Sequence, residues 1–460
     1  MAIVSQIMAI ASFFATPWFF LFEVCYNCYG FIHYFRRGTQ LTMKTNLSLI
    51  LALILLLAMT PACLAEEAYS ADSDPLLQGV IDRAQAFSEN HLGYPVNDDI
   101  ELKEFYEWYL SNDIDRVMMN NAGDPNDITA NHGALEVENE VLRFFAPYYG
   151  FEPDEAWGLI SASGTDGNDH GIYFGRHYLE DVTGMKPILY VSTESHYSNM
   201  RLAELQQLEV RLIDTDEMGA MIPDSFRTAL DPERPALVVF SMGTTFKGGI
   251  DDQQAINAIL DEVTPPAVYR HVDAALFGGY LPFSEYADKV DRRVLGFDSI
   301  AISGHKFFGI DDPCGLFFTS KEVMAHQNPY DISYLEGSMP MINCSRSATN
   351  PLKFYWIAKH KGAEGFKAMA DKMFEVTAYL KEKLDEIGWS YWISDPCSTT
   401  VFFSRPDEAT MQKYFLAPDY DERFGGELAH VIVMPNVGTD VIDRFIADLQ
   451  AQQTTLEPAA

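Results

Sequence analysis

The run Phe297-Asp-Ser-Ile-Ala-Ile-Ser-Gly-His-Lys306-Phe-Phe-Gly309 decides how this chain is read. Its first half is apolar enough for a buried strand. Its second half delivers a lysine at the strand's carboxyl end, beside a small hydroxyl and a histidine. An amine held there becomes nucleophilic when desolvation helps it shed its proton. Such a lysine is suited to a Schiff base with an aldehyde cofactor. On its own the tetrapeptide Ser303-Gly-His-Lys306 also fits a lysine that caps a strand at the surface, and the residues upstream separate the two readings.

Working outward, short apolar runs alternate with helical patterns. Strands are predicted at 158–161, 188–191, 210–214, 236–241, 268–273, 299–303 and 316–319, with helices such as Tyr197–Leu208 and Asp251–Glu262 between them. Continuously apolar strands separated by helices imply a largely parallel α/β sheet covered on both faces. Functional groups in such sheets gather at the carboxyl ends of strands. Upstream, Ile100, Phe105, Trp108 and Tyr109 fall at helical spacing, and Asn131–Tyr149 reads as a helix with Leu135, Val141, Leu142 and Phe145 inward. Past about residue 330 the pattern becomes α+β: a long helix near Phe366–Ile387, strands near 399–403 and 430–434, and a last helix at Thr439–Gln450.

Three strand ends carry polar residues suited to one cofactor. Ser161-Ala-Ser-Gly-Thr-Asp-Gly-Asn168 precedes a helix, and its small residues let backbone amides approach a phosphate; Ser163, Gly164 and Thr165 are the candidates. The same turn is also compatible with an ordinary N-cap. In His271-Val-Asp273, an aspartate closes an apolar strand, a costly place unless a cation meets it. The protonated ring nitrogen of pyridoxal phosphate (PLP) is one such cation, and a structural arginine is another. Keeping that nitrogen protonated makes the ring an electron sink for a carbanion at the substrate Cα. Lys306 follows Asp273 by 33 residues, and Ser303 and His305 beside it offer further phosphate donors. Between the first two lies Thr193-Glu-Ser-His196, whose histidine suits stacking on the cofactor ring near the substrate carboxylate, while Thr245 in Gly243-Thr-Thr245 places a hydroxyl at the same edge. Each signal is modest alone. Their order, phosphate turn, histidine, aspartate and lysine, each at a strand end, selects a PLP enzyme.

The chain resembles the group II PLP-dependent amino acid decarboxylases, in the branch of histidine decarboxylase and plant serine decarboxylase. The residues that carry the resemblance are Gly164-Thr-Asp-Gly-Asn168, Glu194-Ser-His-Tyr-Ser198, the run from Gly243 to Asp252, His271-Val-Asp-Ala-Ala275, Ser303-Gly-His-Lys306, Pro313-Cys-Gly315 and Ala429-His-Val-Ile-Val-Met-Pro435. It spans roughly 85–450. It implies an aminotransferase-like (fold type I) PLP domain plus a smaller α+β domain, and a homodimer with sites at the subunit interface. It implies that Lys306 holds the cofactor, that Asp273 pairs the pyridine nitrogen, and that His196 stacks on the ring. Ser163, Gly164, Thr165, Asn168, Thr245, Ser303 and His305 then lie around the cofactor. The reaction implied is decarboxylation of an L-amino acid to its amine and CO2, as in histidine decarboxylase. Other PLP reactions, namely serine decarboxylase, lyase or aldehyde synthase chemistry, and a non-catalytic exported binding protein are the alternatives. Two stretches depart from the branch: Cys344-Ser-Arg-Ser-Ala-Thr-Asn-Pro-Leu352 and the acidic Ile310-Asp-Asp312, both where the substrate is expected to be chosen.

The formal net charge of the 460 residues is −34. The first 65 residues hold only Glu23 against Arg36, Arg37 and Lys44, a net of +2, so the remainder carries −36. So acidic a body repels nucleic acid and anionic lipid. Cys314, Cys344 and Cys397 are too few and scattered for a disulfide framework, and Cys25-x-x-Cys28 lacks the second pair a metal site needs, so no metal is expected. Residues 1–42 read as an apolar extension, an upstream mis-start of the frame. Residues 43–65, with Met43-Lys44, a leucine-rich run and Ala65, read as a signal peptide or membrane anchor. The body divides into an N-terminal arm at 66–120, a large domain at 121–330 and a small one at 331–460. The expected location is exported, periplasmic or secreted, or membrane-anchored.

Overall fold

The computed structural model describes Ala71 and residues 74–456, apart from 100, 118–119, 127–132 and 334–336. The expected extension and signal segment lie outside the described residues. The chain divides into two compact units, residues 1–82 and 83–460. The described part of the first is essentially the start of the helix Pro75–Asn90, and everything below concerns the second.

Seven strands build the main sheet: β1 (Ala156–Ser161), β2 (Ile188–Ser192), β3 (Glu209–Ile213), β4 (Ala236–Ser241), β5 (Val268–Asp273), β6 (Ser299–Ser303) and β7 (Gly315–Ser320). Their order is β1-β7-β6-β5-β4-β2-β3. All pairings among β2 to β6 are parallel, and β7 alone runs against its neighbours. The apolar strands are continuous because both faces are covered. In β4, Leu237 and Val239 join one hydrophobic cluster, while Ala236, Val238 and Phe240 join the other. The helix Gly164–Thr183 packs over β5, β6 and β7. The carboxyl ends of β1, β4, β5 and β6 therefore open on one edge of the sheet, where Gly315 at the start of β7 sits in register with both Ser161 and Ser303.

After two short strands, β8 (Tyr330–Ile332) and β9 (Gly337–Met339), comes a helical stretch at Thr349–Glu386. It is two helices broken at Gly362, whose φ of 57° and ψ of −174° interrupt the ladder. The sequence reading captured the second helix only. A four-stranded antiparallel sheet follows, in the order β10-β11-β13-β12: β10 (Tyr391–Trp392), β11 (Thr400–Ser404), β12 (Ala417–Asp421) and β13 (Gly426–Ile432). The helix Thr439–Leu456 ends the described chain. The segment after the first helix is threaded along this small sheet. Leu92 donates to Tyr414 O at 3.0 Å and accepts from Ile432 N at 2.7 Å. That pairing carries Gly93, Tyr94 and Pro95 to the functional edge of the main sheet.

The chain was read as exported or membrane-anchored, but among the described residues no helix is long and apolar enough to cross a membrane. Their apolar residues are spent on the two sheet faces and the small domain's core instead.

Candidate active site

At the carboxyl edge of the main sheet lies a cavity of about 350 Å³. All ten residues singled out from the sequence line it: Ser163, Gly164, Thr165, Asn168, His196, Thr245, Asp273, Ser303, His305 and Lys306.

Asp273 closes β5, only 8 % exposed. Its Oδ2 accepts hydrogen bonds from Asn168 Nδ2 at 2.8 Å and Asn199 Nδ2 at 3.1 Å. Its Oδ1 takes only a long contact, 3.4 Å, from Ala275 N. Two amide donors hold the carboxylate by one oxygen, and the other remains available to a cation in the cavity. Lys306 stands in the turn after β6. Its ammonium has no hydrogen-bond or ion-pair partner among the described residues, and burial lowers its pKa against the pull of Asp273. A lysine so placed reaches its free-amine form more readily than a surface lysine.

His196 caps the helix Tyr197–Leu205, where its Nδ1 accepts from Ser198 N and meets Ser198 Oγ at 2.7 Å. That leaves the ring proton on Nε2. Burial lowers its pKa, partly offset by Asp273 and reinforced by Lys306, so the ring is neutral. His305 contacts Cys314 O through Nδ1 at 3.1 Å, and burial lowers its pKa too.

The turn after β1 starts the 20-residue helix Gly164–Thr183. Ser163 Oγ accepts from Asp166 N at 3.1 Å, and Asp166 Oδ2 reaches back to Ala162 N at 2.7 Å. This pair of bonds fixes the helix start and leaves the Ser163 hydroxyl proton to donate outward. At Gly164 a side chain has no room, since an ideal Cβ would sit 2.3 Å from Ser303 Oγ. The backbone amides at this helix start and two hydroxyls thus converge on one spot, a cradle for an anion. A carboxylate for a ring nitrogen, a free amine for an aldehyde and an anion cradle are what PLP requires, so the residues present fit it.

Sequence reasoning missed several contributors. Asn199, buried three residues after His196, braces Asp273 and is itself held by Ser195 Oγ at 2.9 Å. His430 on β13 reaches the cavity with its ring between Phe246 O and Gly93 O, at 2.7 and 3.0 Å. Tyr94 and Phe277 complete the wall. Asn199, Tyr94 and Phe277 carry no periodic or motif signal, and His430 lies within a run that marked the resemblance, Ala429–Pro435, without being assigned to the site. The two departures expected to choose the substrate do not line the cavity among the described residues. Asp311 and Asp312 both turn to the buried Lys353, each at 2.6 Å. Arg346 pairs with the buried Glu138.

A parallel-strand edge carrying this lysine, aspartate and anion cradle defines a PLP enzyme of fold type I. Residues 175–405 match the pyridoxal-dependent decarboxylase conserved domain. Serine decarboxylase 1 of Oryza sativa subsp. japonica is 33 % identical over 374 residues, covering 80 % of this chain and 73 % of the relative. Histidine decarboxylase of Solanum lycopersicum is 31 % identical over 391 residues, covering 83 % and 89 %. L-Methionine decarboxylase from Streptomyces sp. 590 superposes with a TM-score of 0.71 at 20 % identity, covering 83 % of this chain and 95 % of that one. The chain belongs to the pyridoxal-dependent decarboxylase family. It is a PLP-dependent amino acid decarboxylase, a carboxy-lyase.

Proposed function

We propose that the substrate is a polar L-amino acid of the histidine or serine kind, converted to its amine and CO2 with Lys306, Asp273 and His196 as the catalytic residues. The relatives support the substrate class: they are named for serine and histidine. The cavity supports it too, since the hydroxyls of Ser241, Thr244, Thr245 and Thr400 and the ring of His430 line it. The observation that carries the assignment of roles is the convergence of Lys306 and Asp273 on one cavity.

When bound, PLP supplies the electron sink that takes up the pair left at Cα once the carboxylate departs. Lys306 would hold it covalently through Nζ. Asp273 Oδ1 would meet the ring nitrogen, and Asn168 and Asn199 hold that carboxylate in place through Oδ2. The Ser163 hydroxyl, the Gly164 and Thr165 amides, Ser303 and His305 would hold the phosphate, with Thr245 at the rim. His196 would lie against the ring. Its neutral Nε2–H and the Lys306 amine are the groups that can deliver the proton replacing CO2 at Cα. Orientation would complete the work: the cavity walls would position the substrate so that its Cα–carboxylate bond breaks and Cα–H does not.

The chain is further proposed to act as a homodimer with sites at the interface. Tyr197, Met200 and Leu205 support this, since they expose apolar surface on the helix that His196 caps. The division into an arm at 66–120, a large domain at 121–330 and a small one at 331–460 is part of the same proposal. A panel of histidine, serine, valine, leucine and the aromatic amino acids, scored for CO2 and amine, tests the substrate class. Histidine or serine should lead. A clear preference for valine or leucine would contradict it.

A further inference from the structure

His271 lies two residues before Asp273 on β5, fully buried, and touches neither the cavity nor its contents. It belongs to a linear chain of hydrogen bonds. Ser299 Oγ meets His271 Nδ1 at 2.8 Å, His271 Nε2 meets Asn168 Oδ1 at 3.0 Å, and Asn168 Nδ2 donates to Asp273 Oδ2 at 2.8 Å. The chain has one consistent proton arrangement. Asp273 is an acceptor, so Asn168 must turn its NH₂ toward it. Asn168 Oδ1 then faces His271 and needs a donor, so the histidine proton sits on Nε2. Nδ1 is left bare to accept from the Ser299 hydroxyl. The ring is neutral, because burial drives its pKa down to about 4 against the pull of Asp273.

The helix above the ring is shaped to admit it. Gly171, one turn beyond Asn168, lies so close that an ideal Cβ there would be 2.2 Å from His271 Nδ1. A side chain at 171 would displace the ring. Without the Nε2–H donor, the Asn168 amide keeps only the Asp273 carboxylate to fix its orientation, and its Oδ1 is left without the His271 donor. Flipped, it would present a carbonyl oxygen to the Asp273 carboxylate and replace a donor by a repulsion.

We propose that His271 is a positioning residue: as the Nε2–H tautomer it orients the Asn168 amide, so that Asp273 is held as a charged acceptor with Oδ1 turned to the cofactor's ring nitrogen. The inference rests on the reading that Asp273 meets that nitrogen. His271 does not touch substrate or cofactor and acts through Asn168.

The test compares the full-length protein's affinity for PLP with its affinity for the deaza analogue, in which ring nitrogen is replaced by CH. Wild type should prefer PLP, and Asp273→Ala should erase the preference. His271→Phe keeps a flat ring in the space opposite Gly171 but has no N–H. It should lower PLP affinity about tenfold while leaving affinity for the analogue unchanged, because only the interaction with ring nitrogen is weakened. Equal loss for both compounds would mean that His271 only supports the fold, and no change would mean that it does nothing; either overturns the proposal. If wild type shows no preference and Asp273→Ala changes nothing, the reading of Asp273 fails and the proposal with it. If His271→Phe does not fold, ¹⁵N-histidine NMR of the PLP-loaded wild type decides. A neutral ring protonated at Nε2 is expected, and an Nδ1–H tautomer or an imidazolium overturns the proposal.

Discussion

Asp273 and Lys306 are opposite charges on one cavity, but their surroundings treat them differently. The carboxylate is given two amide donors, whereas the ammonium is given no acceptor within hydrogen-bond reach among the described residues. Asp273→Asn should therefore lower kcat by on the order of 10²-fold or more with the fold retained, as measured by initial rates alongside circular dichroism. In the PLP-free protein, aldehyde capture by Lys306 should rise with pH through a midpoint below that of an ordinary lysine. A midpoint at the ordinary value would mean that burial does not act on the amine. His271 gives a stability dependence of definite sign. Its folded pKa, about 4, lies below the ordinary 6.5, so the unfolded chain binds the proton first. This contribution is unchanged above about pH 6.5. It costs stability as pH falls from there towards about 4, and levels off below that. Denaturant midpoints across this range, wild type against His271→Phe, should differ in slope. At Gly164, Ala should weaken cofactor binding, because its methyl group meets Ser303 Oγ.

At the scale of elements, the loop from Gly304 to Cys314 sets where Lys306 stands. It closes on itself through Gly304 N to Cys314 O at 2.8 Å and Ile310 N to Gly304 O at 3.2 Å. Asn97 holds the Phe307 carbonyl at 2.8 Å from the N-terminal side. Phe307, Phe308 and Ile310 are buried beneath it. Its acidic end grips Lys353, and Tyr106 donates to Asp311. Burial opposes the charge on Lys353, but Asp311 and Asp312 hold its pKa above the usual value. Lys353→Met should destabilise the protein by about 1–3 kcal/mol, less than a fully buried pair because both acids are partly solvated. Equilibrium unfolding in urea measures it. The acids that looked like substrate determinants are thus loop anchors, a role invisible without Lys353, which lies 41 residues beyond Asp312. What was legible in sequence follows the same logic. Strands β4, β5 and β6 were read to the residue, because a strand covered on both faces is a largely apolar run closed by a polar residue, with Arg270 and His271 the polar interruptions in β5. β12, Ala417-Pro-Asp-Tyr-Asp421, was missed because an edge strand tolerates proline and charge. The helix before Gly362 was missed because the pattern breaks at that glycine. Asn199 and His271 were missed because a buried polar group is recognised by its partners, which only the fold supplies.

Across the whole molecule, the small sheet is fastened to the functional edge by charge as well as by threading. Lys247, just past Thr245, is almost fully buried and pairs with Glu194 and Asp421, each at 2.7 Å. Glu194 lies two residues before His196, and Asp421 ends β12, so one ammonium joins the β2 and β4 loops to the small sheet. Arg423, followed by Lys247, keeps the Asp421 carboxyl well below the usual carboxylate range. Removing the central cation leaves both acids to Arg423, which reaches Asp421 at 2.6 Å and Glu194 at 3.4 Å. Lys247→Met should cost about 1–3 kcal/mol in urea unfolding and raise KM, because the walls around His196 lose their anchor. The central claim is that this cavity decarboxylates an amino acid through Lys306. Its most direct measurement supplies carboxyl-labelled L-histidine and L-serine to the PLP-loaded wild type and to Lys306→Ala, and follows the label. The account predicts that wild type releases the label as CO2 with one equivalent of amine, and that Lys306→Ala releases none. Substrate consumed by wild type with its carboxyl label retained, or turnover by Lys306→Ala at the wild-type rate, would contradict it.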